Sequence, residues 1–145
     1  MHLILRFSDR LRQRRYERTL SPTRSAGRRG EDLAHRYLRH NGFTVVARNF
    51  RARSGLSELD IVAWEDETLV FVEVKARTSD AYGSPERAIG GEKRVRLFRG
   101  AREYARRAGV DWQQVRFDIV NVLLSEPPEI VHYRDVFPLA TPLPL

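Results

Sequence analysis

Apolar positions along the chain keep two rhythms, one helical and one alternating. Leu33, Ala34, Tyr37 and Leu38 recur at helical spacing and predict a helix from Gly27 to Asn41, with Asn41-Gly42 as its stop and Glu31 and Asp32 in its first turn. Phe43–Arg48 is β-rich and predicts a short strand, followed by a basic loop over Asn49–Gly55. In Ser57–Trp64, Glu58, Asp60, Val62 and Trp64 alternate with Leu59, Ile61 and Ala63. The turn Glu65-Asp66-Glu67 leads to Thr68–Lys75, which is apolar on both faces until Glu73 and so predicts a central, covered strand. A polar loop, Ala76–Pro85, and a short helical piece, Glu86–Ile89, run into Gly90-Gly91. A helix over Glu92–Ala108 is expected next, its apolar stripe made by Val95, Phe98, Ala101, Ala105 and Ala108, and Gly109 ends it. Val115–Leu124 predicts a strand, Pro127-Pro128 a turn and Ile130–Tyr133 an edge strand. The order α-β-β-β-α-β-β implies an α/β fold, a mixed sheet flanked by helices.

Charge adds a boundary to this picture. Of the net +7, all is carried by residues 1–30, where nine arginines face Asp9 and Glu17; residues 31–145 hold 17 basic and 17 acidic side chains. Residues 1–25 therefore read as a basic, disordered arm in which Ser21-Pro22-Thr23 interrupts any long helix, residues 26–138 as one domain and residues 139–145 as a flexible tail. A basic arm attracts polyanions by counterion release, or serves as a solubilising leader. The chain has no cysteine, which excludes disulfides, thiolate zinc sites and cysteine nucleophiles and fits a cytoplasmic location. No apolar run approaches the ~20 residues that cross a bilayer, so no membrane partner is expected.

The chemistry concentrates in Glu58-Leu59-Asp60 and Glu73-Val74-Lys75 on consecutive strands. A hairpin gathers these carboxylates and one ammonium, and clustered carboxylates are costly unless a cation sits among them. Of 26 Lys+Arg, only Lys75 and Lys93 are lysines, so Lys75 stands out in a chain that otherwise writes positive charge as Arg. Asp60 and Glu73 fit as ligands of a hard divalent cation, Mg²⁺ or Mn²⁺, with the Val74 carbonyl as a third oxygen and Glu58 as a ligand or salt-bridge partner. Lys75 would hold an attacking water or neutralise charge on a phosphorus centre, and Glu31 would reach the metal through water. The competing reading is a purely structural ion-pair cluster with Lys75 between Glu73 and Asp60.

Gly30-Glu31-Asp32-Leu33-Ala34, Glu58-Leu59-Asp60-Ile61-Val62-Ala63 and Val70-Phe71-Val72-Glu73-Val74-Lys75-Ala76-Arg77 resemble the YraN family of small bacterial proteins, and Gly83, Ala88, Lys93, Ala101, Tyr104 and Phe117-Asp118 continue the match. The resemblance covers about residues 26–135 and extends to the PD-(D/E)xK nucleases, notably archaeal Holliday junction resolvases. It implies a restriction-endonuclease-like fold, with Asp60, Glu73 and Lys75 in the Asp…Glu-x-Lys roles and Glu31 in the acidic position of the first helix. It also implies a metal-dependent endonuclease acting on DNA, branched DNA included, and allows a homodimer.

Arg48, Arg51, Arg53 and Arg77 flank the carboxylates and are expected to grip phosphates. Arg99, Arg102 and Arg106 form a helical stripe that either contacts phosphates or is a solvated face, and Lys93 is either a surface charge or a backbone contact near the site. Trp64 and Trp112 are expected in the core or at an interface rather than as base-stacking platforms, and His2, His35, His40 and His132 lack metal spacing. Two alternatives to a nuclease stay open: a nucleic-acid-binding module that no longer cuts, and an interaction protein whose acidic cluster is structural.

Overall fold

The computed structural model describes residues 22–53, 55, 57–78 and 91–138. The expected disordered arm (but for residues 22–25), the helical piece Glu86–Ile89, most of the Ala76–Pro85 loop and the tail lie outside the described residues. The elements are α1 (Pro22–His40), β1 (Thr44–Arg51), β2 (Glu58–Glu65), β3 (Thr68–Arg77), α2 (Gly91–Ala108), β4 (Val115–Leu123) and β5 (Glu129–Tyr133). The five strands form one sheet in the order β1-β2-β3-β4-β5, antiparallel except for the parallel β3–β4 pair. This is the α/β, restriction-endonuclease-like architecture, with β3 at its centre as its two-faced apolar pattern requires.

Each face of the sheet carries one helix and one core. On one face Phe98 of α2 packs with Phe71 and Phe117 of the sheet, Phe98 and Phe117 stacked with ring centroids 4.4 Å apart. On the other face Ala34 and Leu38 of α1 pack with Ile61, Val70, Val72, Val120 and Val122 of the sheet. Burial of such side chains contributes about 1.5–3 kcal/mol each. Gly42 and Gly109, at φ +87° and +68°, take the left-handed conformation that ends α1 and α2.

Five local expectations are corrected. α1 starts at Pro22, five residues early, because proline suits a first helical turn rather than interrupting it. Glu31 and Asp32 consequently sit mid-helix, where the first-turn dipole does not reach. The stretch read as a loop from Asn49 is strand as far as Arg51; a bulge between Val45 and Ala47 and a left-handed Asn49 (φ 52°) break the alternation that would have revealed it. The buried stripe of α2 runs through Leu97, Phe98, Gly100, Ala101 and Ala105, not Val95 and Ala108. Alternation in β2 fails at Asp60: Leu59 joins the α2-side core, while Ile61 and Ala63 join the α1-side core.

That last irregularity marks a fork in the sheet. β2 pairs with β3 only from Glu65↔Thr68 to Ile61↔Val72, then follows β1 away as far as Arg51↔Glu58. β3 runs on, paired with β4, to Arg77↔Leu123. Residues 73–77 of β3 thus have one edge without a strand neighbour. α1 fills in beside them at Gly30, where an added Cβ would lie 2.4 Å from the Ala76 Cβ.

Candidate metal and nucleic-acid site

The fork builds the site. A strand residue's N–H and C=O point to the same edge, and the Val74 N–H, with no β2 carbonyl opposite, donates to Asp60 Oδ2 at 2.9 Å. The Val74 carbonyl faces the same gap. Glu73 is 7 % exposed, and its Oε1 receives both lysines of the chain: Lys93 Nζ at 2.7 Å and Lys75 Nζ at 3.6 Å. An open cleft of about 420 Å³ is lined by Glu31, Ser57, Glu58, Asp60, Glu73, Lys93, Arg96 and Leu97, which α1, β2 with the residue before it, β3 and α2 supply. Asp60 and Glu73 therefore face one space. Ser57 Oγ donates to the Arg96 carbonyl at 2.7 Å, tying the start of β2 to α2 at the cleft wall.

Electrostatically the site is strained. Burial, then the neighbouring charge of Glu73, pushes the Asp60 carboxyl well above the usual aspartate range, and Glu31 adds to the rise. Glu31 is also raised by burial, against the pull of Arg48. Burial and the adjacent Lys93 lower Lys75 despite Glu73, whereas hydrogen bonding to Glu73 and Lys75 outweighs burial and raises Lys93. The distribution is uneven: two ammonium groups serve Glu73, while the one donor recorded on Asp60 is a backbone N–H.

The donor set suits a hard cation. Mg²⁺ takes one or two carboxylates, carbonyl oxygen and water, which matches Asp60, Glu73 and the Val74 carbonyl. Among the described residues no group of three His, Asp or Glu is ready to hold a metal unaided. The Lys93 ammonium on Glu73 places one positive charge in the same cleft.

The arginines divide. Arg48 bridges α1 acids, with Nη1 2.8 Å from Asp32 Oδ1 and Nη2 3.5 Å from Glu31 Oε2, so it sets the position of Glu31. Arg51 lies 3.9 Å from Glu58 at the surface. The Arg53 backbone N–H donates to Glu103 Oε2 at 3.1 Å while its side chain is exposed, and Arg77 at the end of β3 is half-buried. On α2, Arg96, Arg99, Arg102 and Arg106 are exposed, and the Arg102 guanidinium lies 4.9 Å from the Trp112 ring centroid. Sequence reasoning missed Arg96 in the cleft wall and the direct contact of Lys93 with Glu73; lysine scarcity was a signal for the second, because it applies to Lys93 as much as to Lys75.

A second charged network occupies β4 and β5. Asp118, 1 % exposed, accepts from Arg116 Nε and Nη2 at 2.8 and 2.9 Å and from the Asp135 N–H at 3.0 Å, and pairs with His132 Nε2 at 2.7 Å. Tyr37 Oη meets the other imidazole nitrogen at 3.2 Å. Arg116 and Arg134 both reach Glu65, at 2.9 and 2.6 Å. Burial works to raise Asp118, but hydrogen bonds from His132 and Arg116 win and hold it at about 2.

The model of the uncharacterised protein family UPF0102 matches residues 30–122, which hold Glu31, Asp60, Glu73, Lys75, Lys93 and Arg96. A UPF0102 protein of Solibacter usitatus is 53 % identical over 135 residues, covering 93 % of this chain and 98 % of its own. Those of Koribacter versatilis and Rhodococcus jostii are 46 % and 45 % identical over 115 and 113 residues, with 80 % and 94 % of their lengths covered. With the family match spanning the strands and helices that build the cleft, the chain belongs to the UPF0102, or YraN, family.

Proposed function

We propose that the protein is a Mg²⁺- or Mn²⁺-dependent endonuclease that hydrolyses phosphodiester bonds in DNA. The observation that carries this reading is the convergence of Asp60 and Glu73 on one open cleft with Lys75 beside them, at a fork that also presents the Val74 carbonyl. Asp60, Glu73 and that carbonyl would hold the cation, with Glu58 and Glu31 at the cleft wall to take its waters. The cation, when bound, supplies Lewis-acid activation of a phosphoryl oxygen and lowers the pKa of water. Lys75, depressed by burial and by Lys93, holds and orients the attacking water and offsets charge on phosphorus. Arg48 fixes Glu31, and the exposed arginines of α2, beginning with Arg96 in the cleft, offer contacts to the phosphate backbone.

Two observations favour a second reading, a nucleic-acid-binding module that does not cut: no ready group of three acids or histidines exists among the described residues, and Glu73 is already ion-paired. A cleavage panel of single-stranded, duplex, flap and four-way DNA with Mg²⁺ or Mn²⁺ separates the two. Cutting is expected, with Lys75→Ala lowering its rate by about 100-fold or more while DNA affinity stays within a few fold. Undiminished cutting by Lys75→Ala removes the assigned role, and metal-independent DNA binding without cutting supports the module.

A further inference from the structure

Both lysines of a chain with 24 arginines end on one carboxylate oxygen, and they do so from different elements. Lys75 comes from the same strand as Glu73, two residues on. Lys93 comes from the first turn of α2 and makes the shorter contact, 2.7 Å against 3.6 Å. Its side chain is 39 % exposed and lines the cleft, so it approaches Glu73 from the solvent side. Lys75 is the more enclosed of the two, 21 % exposed. Two ammonium groups crowded on one oxygen repel each other, while Asp60, facing the same space, has neither. This is a poor distribution of charge for a finished ion-pair network, and a good one for a site awaiting a further cation. A divalent ion shared by Asp60 and Glu73 competes with Lys93 for the Glu73 carboxylate, whose Oε1 the ammonium now holds. The four-carbon stem of a lysine at a cleft mouth lets its head group swing away at low cost, which the fork of an arginine would resist.

Resting on the metal-binding reading above, we propose that Lys93 is a displaceable counter-ion: it neutralises Glu73 in the metal-free protein, leaves that oxygen when a divalent cation enters, and presents its ammonium at the cleft mouth to substrate phosphate. Lys93 thereby couples metal entry to substrate capture. It keeps Glu73 compensated in the metal-free protein, and it weakens cation binding until an anion helps to draw the ammonium off.

The experiment is calorimetric titration of the full, metal-free chain with Mn²⁺, comparing wild type with Lys93→Met, Lys75→Met and Asp60→Asn. Lys93→Met should bind Mn²⁺ about 10-fold more tightly than wild type, as expected when a competing charge is removed. Its thermal midpoint without metal should be lower, and Mn²⁺ should raise it further than it raises wild type. Asp60→Asn should lose binding. A wild-type measurement guards against a variant that does not fold: with two lysines, ¹³C-labelling at the lysine side chain gives one signal set each. Mg²⁺ should move the Lys93 signals toward those of a free lysine while Lys75 keeps a perturbed environment. Equal or weaker Mn²⁺ binding by folded Lys93→Met, or Lys93 signals unmoved by a bound Mg²⁺, overturns the counter-ion role and leaves the metal site standing. No Mn²⁺ binding by wild type and Lys93→Met alike overturns both.

Discussion

Two aspartates of one sheet, half-buried Asp60 on β2 and buried Asp118 on β4, are shifted in opposite directions. Asp118 has four hydrogen-bonding contacts, from Arg116 twice, from His132 and from a backbone N–H, and is held at about 2. Asp60 has one, from Val74, faces Glu73 across the cleft and is driven upward. Burial disfavours charge at each. The difference is whether the fold supplies compensation. Around Asp118 it is complete, and the network seals the β4–β5 end against α1. Around Asp60 it is withheld, and the space faces solvent. Enclosed charge that the fold leaves poorly compensated costs stability, which is what the proposed cation site would require of Asp60.

The same isosteric change at both positions tests this most strongly. Asp118→Asn turns an amide donor toward Arg116 or His132 and should destabilise the metal-free protein by about 3 kcal/mol. Asp60→Asn keeps an oxygen for the Val74 N–H, relieves the repulsion from Glu73, and should raise stability by about 1 kcal/mol. Urea denaturation at pH 8 with a chelator reads both. Losses of similar size at the two positions would abolish the distinction.

Acid titration sharpens it with opposite signs. Because the folded value for Asp118 lies below the ordinary 3.8, its contribution is present above pH 3.8 and lost as pH falls toward about 2. That limb amounts to about 2 kcal/mol and should vanish in Asp118→Asn. Asp60 is raised, so its share is complete below 3.8 and is lost as pH rises through its folded value. Asp60→Asn should flatten the corresponding decline toward neutral pH. Denaturation midpoints from pH 2 to 8 measure the two limbs separately.

How much of this was readable in the sequence follows the same division. β3 announced itself as central because Val70, Phe71 and Val72 leave no polar face, and Glu73 at its end was for that reason no ordinary surface charge. The order of elements was legible from period alone. β1 was truncated in the reading because it is an edge strand, and its bulge and the left-handed Asn49 scramble the alternation over Arg48–Arg51. The contact between Lys93 and Glu73 joins an α2 side chain to β3 across a connection with no periodic signal, so only the rarity of lysine hinted at it. Arg48 looked like a phosphate ligand beside the carboxylates. Its pairing with Asp32 depends on how α1 crosses the sheet, which spacing does not encode. The Asp118 network was invisible for a related reason: Arg116 and Asp118 are neighbours on one strand face, but Tyr37, Glu65 and His132 come from three other elements and Arg134 from just past β5.

The helix that spans both regions offers the finest test. α1 carries Glu31 to the cleft and, at its other end, Tyr37 to His132. Gly30 allows the first: its Cα faces Ala76 so closely that a methyl group would come within 2.4 Å of the Ala76 Cβ. Alanine is worth about 1 kcal/mol over glycine inside a helix, but overpacking against a strand that cannot yield costs about 1–3 kcal/mol. Gly30→Ala should therefore be net destabilising by about 1 kcal/mol and should weaken Mn²⁺ binding as Glu31 is pushed from the cleft. Gly27, one turn earlier, has no atom within 4 Å of an added Cβ. Gly27→Ala should stabilise by about 0.5–1 kcal/mol and leave Mn²⁺ binding unchanged. Paired melting curves and titrations decide it: if the two alanines behave alike, close approach of α1 to β3 is not what positions the acidic helix residue at the fork.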